Sequence, residues 1–281
     1  MNSQGNDFIL VDNTAKNYSL TVQQIKEISS RDNIGCDQLL LLDIHDAKNV
    51  YCKIYNQDGS EAYQCGNGMR AIMSFLDRKY MFKEASIIVN NIHYKAFYED
   101  DNNIVVNMGS PCFLEDTIAS PIGISISKRN FFYEVEHASK QCSFLYSPII
   151  LGNFHCVVFS KDCLKNNKEI KDILYSLYSE KPNISYVSNL DSFLDKKDDM
   201  VELSVDERGS GWTQSCGSGA SATSAFIIKY SLLNNISIDK ICVRQKGGML
   251  TIEQKVQQNK NDQDLYLTGP TTFDYDGVWN G

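Results

Sequence analysis

The sequence predicts an α+β fold made of two similar halves, and two observations predict it. A Cys-Gly-x-Gly motif occurs twice, half a chain apart, and the strands, turns and helices around it recur in the same order. A length of 281 residues is compatible with two domains, at about 150 residues per domain.

The order of elements follows from the residues. Gly5-Asn6 precedes an apolar run over 8–11, as Gly152-Asn153 precedes one over 156–159. A helix is expected after each: Thr21 with Gln24 is a capping-box spacing ahead of Ile25 and Ile28, and Ile170, Ile173, Leu174 and Leu177 stand at helical spacing over 168–178. Next come strands at 51–55 and 201–205, each closed by a turn, Gln57-Asp58-Gly59-Ser60 and Arg208-Gly209-Ser210-Gly211. Gln64-Cys65-Gly66-Asn67-Gly68 and Gln214-Ser215-Cys216-Gly217-Ser218-Gly219 then open the two central helices. Strands at 87–89, 94–98 and 104–108 follow the first helix, and strands at 241–243, 250–252 and 265–267 follow the second. The halves are read as residues 1–115, with Cys65 and a C-terminal strand over 271–281, and residues 116–270 with Cys216, linked near 113–120.

Composition narrows the function. Hydrophobic residues at 42% and charged residues at 22% are ordinary for a packed globular chain. A net charge of −8 with a pI near 5.1 opposes nucleic-acid and anionic-membrane partners and suits a small-molecule substrate. No basic segment with an apolar core follows Met1, and no apolar run reaches the roughly 20 residues of a membrane span, so a cytoplasmic location is expected. Nine cysteines fall singly, without a CxxC pair, which argues against a disulfide framework and a zinc ribbon. Most are expected to be buried and inert.

Cys65 and Cys216 differ from the rest by their position at a helix start. The first N–H groups of a helix lack partners and favour an anion, so a thiol there is drawn toward thiolate and a carboxylate is bound nearby. Inverting a stereocentre without a cofactor needs a base on one face and an acid on the other, and two such cysteines across one cleft would serve. A redox switch or a metal site in a binding protein is the reading from another class, and neither cysteine has His or Cys at ligand spacing, so no metal is expected.

From Asn56-Gln57-Asp58-Gly59-Ser60-Glu61 through Met69-Arg70, and from Glu207-Arg208-Gly209-Ser210-Gly211 through Gly219, the chain resembles diaminopimelate epimerases. Gly5-Asn6-Asp7-Phe8, Gly35-Cys36-Asp37-Gln38, Gly152-Asn153-Phe154-His155 and Tyr275-Asp276-Gly277 fit the same family in order. The resemblance implies a fold of two pseudo-symmetric halves, each a curved, mainly antiparallel sheet or barrel around a central helix. It also implies a cofactor-independent homodimeric enzyme that interconverts LL- and meso-diaminopimelate for lysine and cell-wall synthesis. Cys65 and Cys216 would be its acid/base pair, with His155 and Glu207 tuning their pKa values. Asn6, Gln38, Asn56, Asn153, Asn183, Glu207 and Arg208, with the backbones of Gly66, Asn67, Gly217 and Ser218, would bind substrate, and Tyr275 would touch the partner copy. Arg208 is the natural partner for a distal carboxylate. The alternative is another racemase or epimerase of this fold, acting on histidine or hydroxyproline.

The chain also departs from the family pattern. Met1-Asn2-Ser3-Gln4 is a shorter start in which the first strand is expected to be clipped, and Asn33 replaces a common glycine. Phe154 stands where proline is usual and Trp212 is bulky for its loop, and both are expected to border the cleft.

Overall fold

A computed structural model describes residues 1–15, 19–115, 118, 121–137, 142–256 and 263–278 of the chain. Two compact units emerge, one formed by Met1–Asn107 with Thr268–Gly281 and the other by Met108–Leu267.

In the first unit, β1 (Asn2–Ser3) pairs antiparallel with β2 (Asn6–Asp12). Strand β2 lies parallel to β3 (Gln38–Asp46), with Phe8 opposite Gln38, and α1 (Val22–Ser29) supplies the crossover that parallel neighbours require. The capping box forms: the Gln24 amide donates to Thr21 Oγ1 at 3.3 Å, and the Thr21 amide donates to Gln24 Oε1 at 3.0 Å. Strand β4 (Asn49–Asn56) returns antiparallel to β3 and sets Asn56 opposite Gln38, and β5 (Glu61–Ala62) folds back on β4. Helix α2 (Gly66–Tyr80) then crosses to β6 (Glu84–Val89), parallel to β4, and β7 (Ile92–Tyr98) and β8 (Asn103–Gly109) continue antiparallel.

The second unit begins with β9 (Cys112–Phe113), β10 (Ile124–Arg129), β11 (Phe132–His137) and β12 (Cys142–Leu151), paired antiparallel. Phe113, read from sequence as the start of a linker, is therefore in a strand, while 116–117 and 119–120 of that stretch lie outside the described residues. From there the connectivity of the first unit recurs. Strand β13 (Asn153–Phe159) is parallel to β14 (Asn183–Val187) across α3 (Asn167–Leu177). A short α4 (Leu190–Leu194) leads to β15 (Val201–Glu207), antiparallel to β14, and β16 (Gly211–Trp212) folds back on β15. Helix α5 (Gly217–Leu233) crosses to β17 (Lys240–Gln245), parallel to β15. Strand β18 (Gly248–Val256) is antiparallel to β17, and β19 (Gln263–Pro270) closes the series. The same succession of parallel and antiparallel neighbours in both units makes this an α+β fold of duplicated halves.

The central helices are buried for different reasons. On α2 one face is apolar, and Met69, Ile72, Met73 and Leu76 are fully buried. Helix α5 carries Gly, Ala and Ser at its start and apolar residues after them, and every residue from Gly217 to Ile228 is buried. Phe226 anchors it, stacked on Phe159 at 4.0 Å and on Tyr230 at 5.3 Å, with the edge of Phe131 at 5.5 Å.

A C-terminal strand over 271–281 does not form in its described part. Residues 271–278 make one isolated bridge, Asn2 with Thr272, and 279–281 lie outside the described residues. The side chains there are mostly exposed, so no buried face holds an extended register.

Candidate active site

Each unit positions its cysteine in the same way. Cys65 is the N-cap of α2, with extended backbone at φ −148° and ψ 99°, and its Sγ accepts from the Gly68 amide at 3.2 Å. Cys216 is the N-cap of α5 at φ −126° and ψ 109°, and its Sγ accepts from the Gly219 amide at 3.3 Å. Sulfur thus stands where a serine or aspartate oxygen usually caps a helix, and a donor aimed at it favours the thiolate.

The space at the second glycine differs between the two motifs. A Cβ on Gly219 would come within 3.0 Å of Val205 Cγ2 and 3.2 Å of Cys216 Sγ, whereas on Gly68 the nearest approach is 3.4 Å, to Cys65 and Leu40. Gly219→Ala is therefore expected to lower stability by about 1–3 kcal/mol through overpacking. Gly68→Ala should stay within about 1 kcal/mol, because helical alanine offsets the tighter contact. Urea denaturation of the two variants checks the difference.

In the first unit, one hydrogen-bond chain orients the amides at the strand ends. Ser60 Oγ donates to the Asp58 carboxylate, which can only accept, so Ser60 Oγ accepts from Asn56 Nδ2 at 3.1 Å. Asn56 Oδ1 then faces Gln38 and takes its Nε2 donor at 3.1 Å. Gln38 Oε1 is left as a buried acceptor with no partner among the described residues, and Asn6 Oδ1, at the start of β2, is another. Two unsatisfied buried acceptors are the complement of an ammonium donor. The Asp58-Gly59-Ser60 turn, read from sequence as punctuation, is what aims them.

Around Cys216 the surroundings differ. Gln245 clamps its backbone, accepting from the Cys216 amide at 2.8 Å and donating to its carbonyl at 3.3 Å. Burial first, and then the nearby Glu207 carboxylate, push the Cys216 thiol well above its ordinary range, so it rests protonated. Glu207 is held by a 2.9 Å hydrogen bond from Thr213 Oγ1. His155 reaches the thiol through Ser218: its Nε2 is 3.0 Å from Ser218 Oγ, which is 3.5 Å from Cys216 Sγ. Complete burial pulls the His155 pKa down to about 3, so its imidazole is neutral near pH 7. Asn183, at the head of β14, accepts from the Arg208 amide at 2.8 Å, and Asn153 heads the neighbouring β13. The Arg208 guanidinium pairs with Glu180 at 2.9 Å on the surface. Gln245, Thr213 and the Ser218 hydroxyl were not singled out by sequence reasoning. Nothing local marks them, since strand register brings Gln245 to the helix start.

Phe154 does not border an opening. It is buried, its ring 5.0 Å from that of Tyr178 in the core of the second unit, because alternation along β13 turns it away from the face that carries Asn153 and His155. Trp212 is half-exposed and tilts over Tyr186 at 5.4 Å. Tyr275 is exposed. Of the other cysteines, Cys36, Cys52, Cys142, Cys156 and Cys163 are buried, Cys242 is half-buried and Cys112 is exposed. Among the described residues, no three or more His, Cys, Asp or Glu side chains cluster so as to hold a metal ion, and no helix is long and apolar enough to cross a membrane.

Known proteins resemble this chain in family and in fold. The diaminopimelate epimerase family profile matches residues 1–114. Diaminopimelate epimerases of Blochmanniella pennsylvanica and Wigglesworthia glossinidia brevipalpis are 31% and 33% identical, over 100% of this chain and 98% of each relative. Among solved structures, a probable proline racemase from Agrobacterium radiobacter aligns with a TM-score of 0.64 at 12% identity, over 99% of this chain and 91% of that one. A phenazine biosynthesis protein from Bacillus anthracis aligns with a TM-score of 0.63 at 12% identity, over 95% and 91%. These two likenesses establish the shared fold.

Proposed function

The chain belongs to the diaminopimelate epimerase family and is an epimerase, and from that premise we propose that it interconverts LL- and meso-diaminopimelate with Cys65 and Cys216 as the acid/base pair. One cysteine, as thiolate, removes the α-proton. The other, as thiol, delivers a proton to the opposite face, so that configuration inverts without a cofactor. The α-carboxylate gains enolate-like charge in the transition state, and the amides of Gly66, Asn67, Gly217 and Ser218 at the two helix starts are the donors that receive it. The single observation that carries this reading is the repeated cap: two cysteines, each at a helix start and each accepting from the third residue on.

The remaining polar groups suit a substrate with two amino-acid ends. Asn6 and Gln38, the latter held by Asn56, present acceptors for an ammonium group, and Asn153, Asn183 and Glu207 take polar groups in the second unit. Arg208 takes the distal carboxylate by exchanging it for Glu180, and an exposed ion pair is worth little, so the exchange costs little. Such a reaction serves lysine and peptidoglycan synthesis in the cytoplasm. We place the exposed Tyr275 at a contact between two copies of the chain.

Incubation with either stereoisomer in D2O tests the reaction. Deuterium should appear at the α-carbon as the isomers interconvert, and no exchange with LL- or meso-diaminopimelate removes the proposal. Arg208→Leu tests the substrate: loss of a charge-assisted contact should cost about 10- to 100-fold in kcat/KM for diaminopimelate. An unchanged value would favour an epimerase of this fold whose substrate lacks a distal carboxylate.

A further inference from the structure

Arg70 occupies a position that charge should avoid. It is fully buried, one turn into α2, at the end of the helix that is already positive. Its Nη2 donates to Asn67 Oδ1 at 3.0 Å, while Nε and Nη1 have no hydrogen-bond partner. No carboxylate among the described residues pairs with it, and the group that favours its charge is Cys65. Burial lowers its pKa only to about 10, so it stays cationic near pH 7. A buried cation beside a helix N-terminus needs an anion nearby.

We propose that Arg70 is a positioning residue that holds Cys65 as the resting thiolate, making Cys65 the base and Cys216 the acid of the undisturbed enzyme. The duplication sharpens the point. Asn56 and Glu207 each stand nine residues before their cysteine, and Arg70 and Ser221 each stand five after. At equivalent positions the first motif therefore carries a neutral amide and a cation where the second carries a carboxylate and a hydroxyl. Two thiols with the same helix cap are driven to opposite protonation states, as a two-base mechanism requires. Arg70 also fixes Asn67, because an arginine only donates and so turns the Asn67 oxygen toward itself.

The other charged and titratable groups near this helix do not supply the anion. On the strands packed against it, Asp7 is bound by Arg31, Asp12 by Lys79 and Tyr80, and Glu84 by Lys95. His93 contacts Ser86, Lys83 lies over the Tyr98 ring, Tyr94 is a phenol that burial keeps protonated, and Cys52 on β4 is a buried thiol that burial and Cys65 both keep protonated.

The inference rests on Cys65 being a reacting group, and its test needs no substrate. The pH dependence of iodoacetamide alkylation is followed at each cysteine by mass spectrometry, with the exposed Cys112 as internal reference. In the wild type, Cys65 should react at lower pH than Cys112, and a profile at or above that of Cys112 overturns the proposal. Arg70→Gln keeps a donor for Asn67 but removes the charge, and should move the Cys65 profile up by about one pH unit, a roughly tenfold slower reaction at pH 7. Arg70→Lys, which keeps the charge, should restore most of the rate. An unmoved Cys65 profile in Arg70→Gln, an equal shift at Cys112, or folded Arg70→Lys behaving like Arg70→Gln each overturns it. If Arg70→Gln fails to fold, Arg70→Met, which also removes the charge and keeps the apolar stem, is read in its place by the same shift. Absent deuterium exchange with these shifts intact removes the diaminopimelate reaction and leaves the charge pairing standing.

Discussion

Cys65→Ala and Cys216→Ala are each expected to reduce epimerisation by about 10²- to 10⁴-fold, the usual worth of one general acid or base, in both directions. In the proposed reaction each direction uses one thiolate and one thiol, so neither variant should keep a direction intact. On the same proposal the two losses should also be far from additive, since groups that act as a unit leave little more to lose once the first is gone. Circular dichroism should show both variants folded, since each substitution removes one capping bond at a helix whose packing lies elsewhere. A steady-state assay with purified LL- and meso-diaminopimelate measures the effect. A variant that keeps a tenth or more of wild-type turnover would remove that cysteine from the reaction.

Phe226→Ala is expected to have the largest effect on stability, about 3–5 kcal/mol. Its ring is fully buried and meets Phe159, Phe131, Phe132 and Tyr230, so truncation leaves a cavity among rigid aromatics that cannot close around it. The residue sits on α5, whose first turn is capped by Cys216, so on the proposed reaction loosening this helix should lower activity before the fold is lost. Urea denaturation followed by tryptophan fluorescence, alongside activity at low denaturant, tests both parts. A loss below about 1 kcal/mol would mean that the cluster relaxes around the missing ring.

Much of the fold was legible in the residues. The strands expected at 51–55, 87–89, 94–98, 201–205 and 250–252 lie inside β4, β6, β7, β15 and β18, and the helix expected over 168–178 is α3 within one residue at each end. These segments are marked by alternation, helical spacing or a capping residue, all of which are properties of neighbours along the chain. Strands β9 to β12 were not read; β11 buries only one face and β10 fully buries no residue, so polar side chains dilute the apolar pattern there.

The sequence by itself determined that the chain is duplicated, that each half places a cysteine at a helix start, and which family it resembles. Capping, turn chemistry and motif order are local, so they survive without coordinates. Tertiary structure decided what surrounds each cysteine. It brought Gln245 to the Cys216 backbone, chained His155 through Ser218, turned Phe154 into the core and buried Arg70 without a carboxylate. Those outcomes depend on strand register and on which helix face is covered, and both are settled only when distant segments pack. Two nearly identical motifs thereby acquire different electrostatic neighbours.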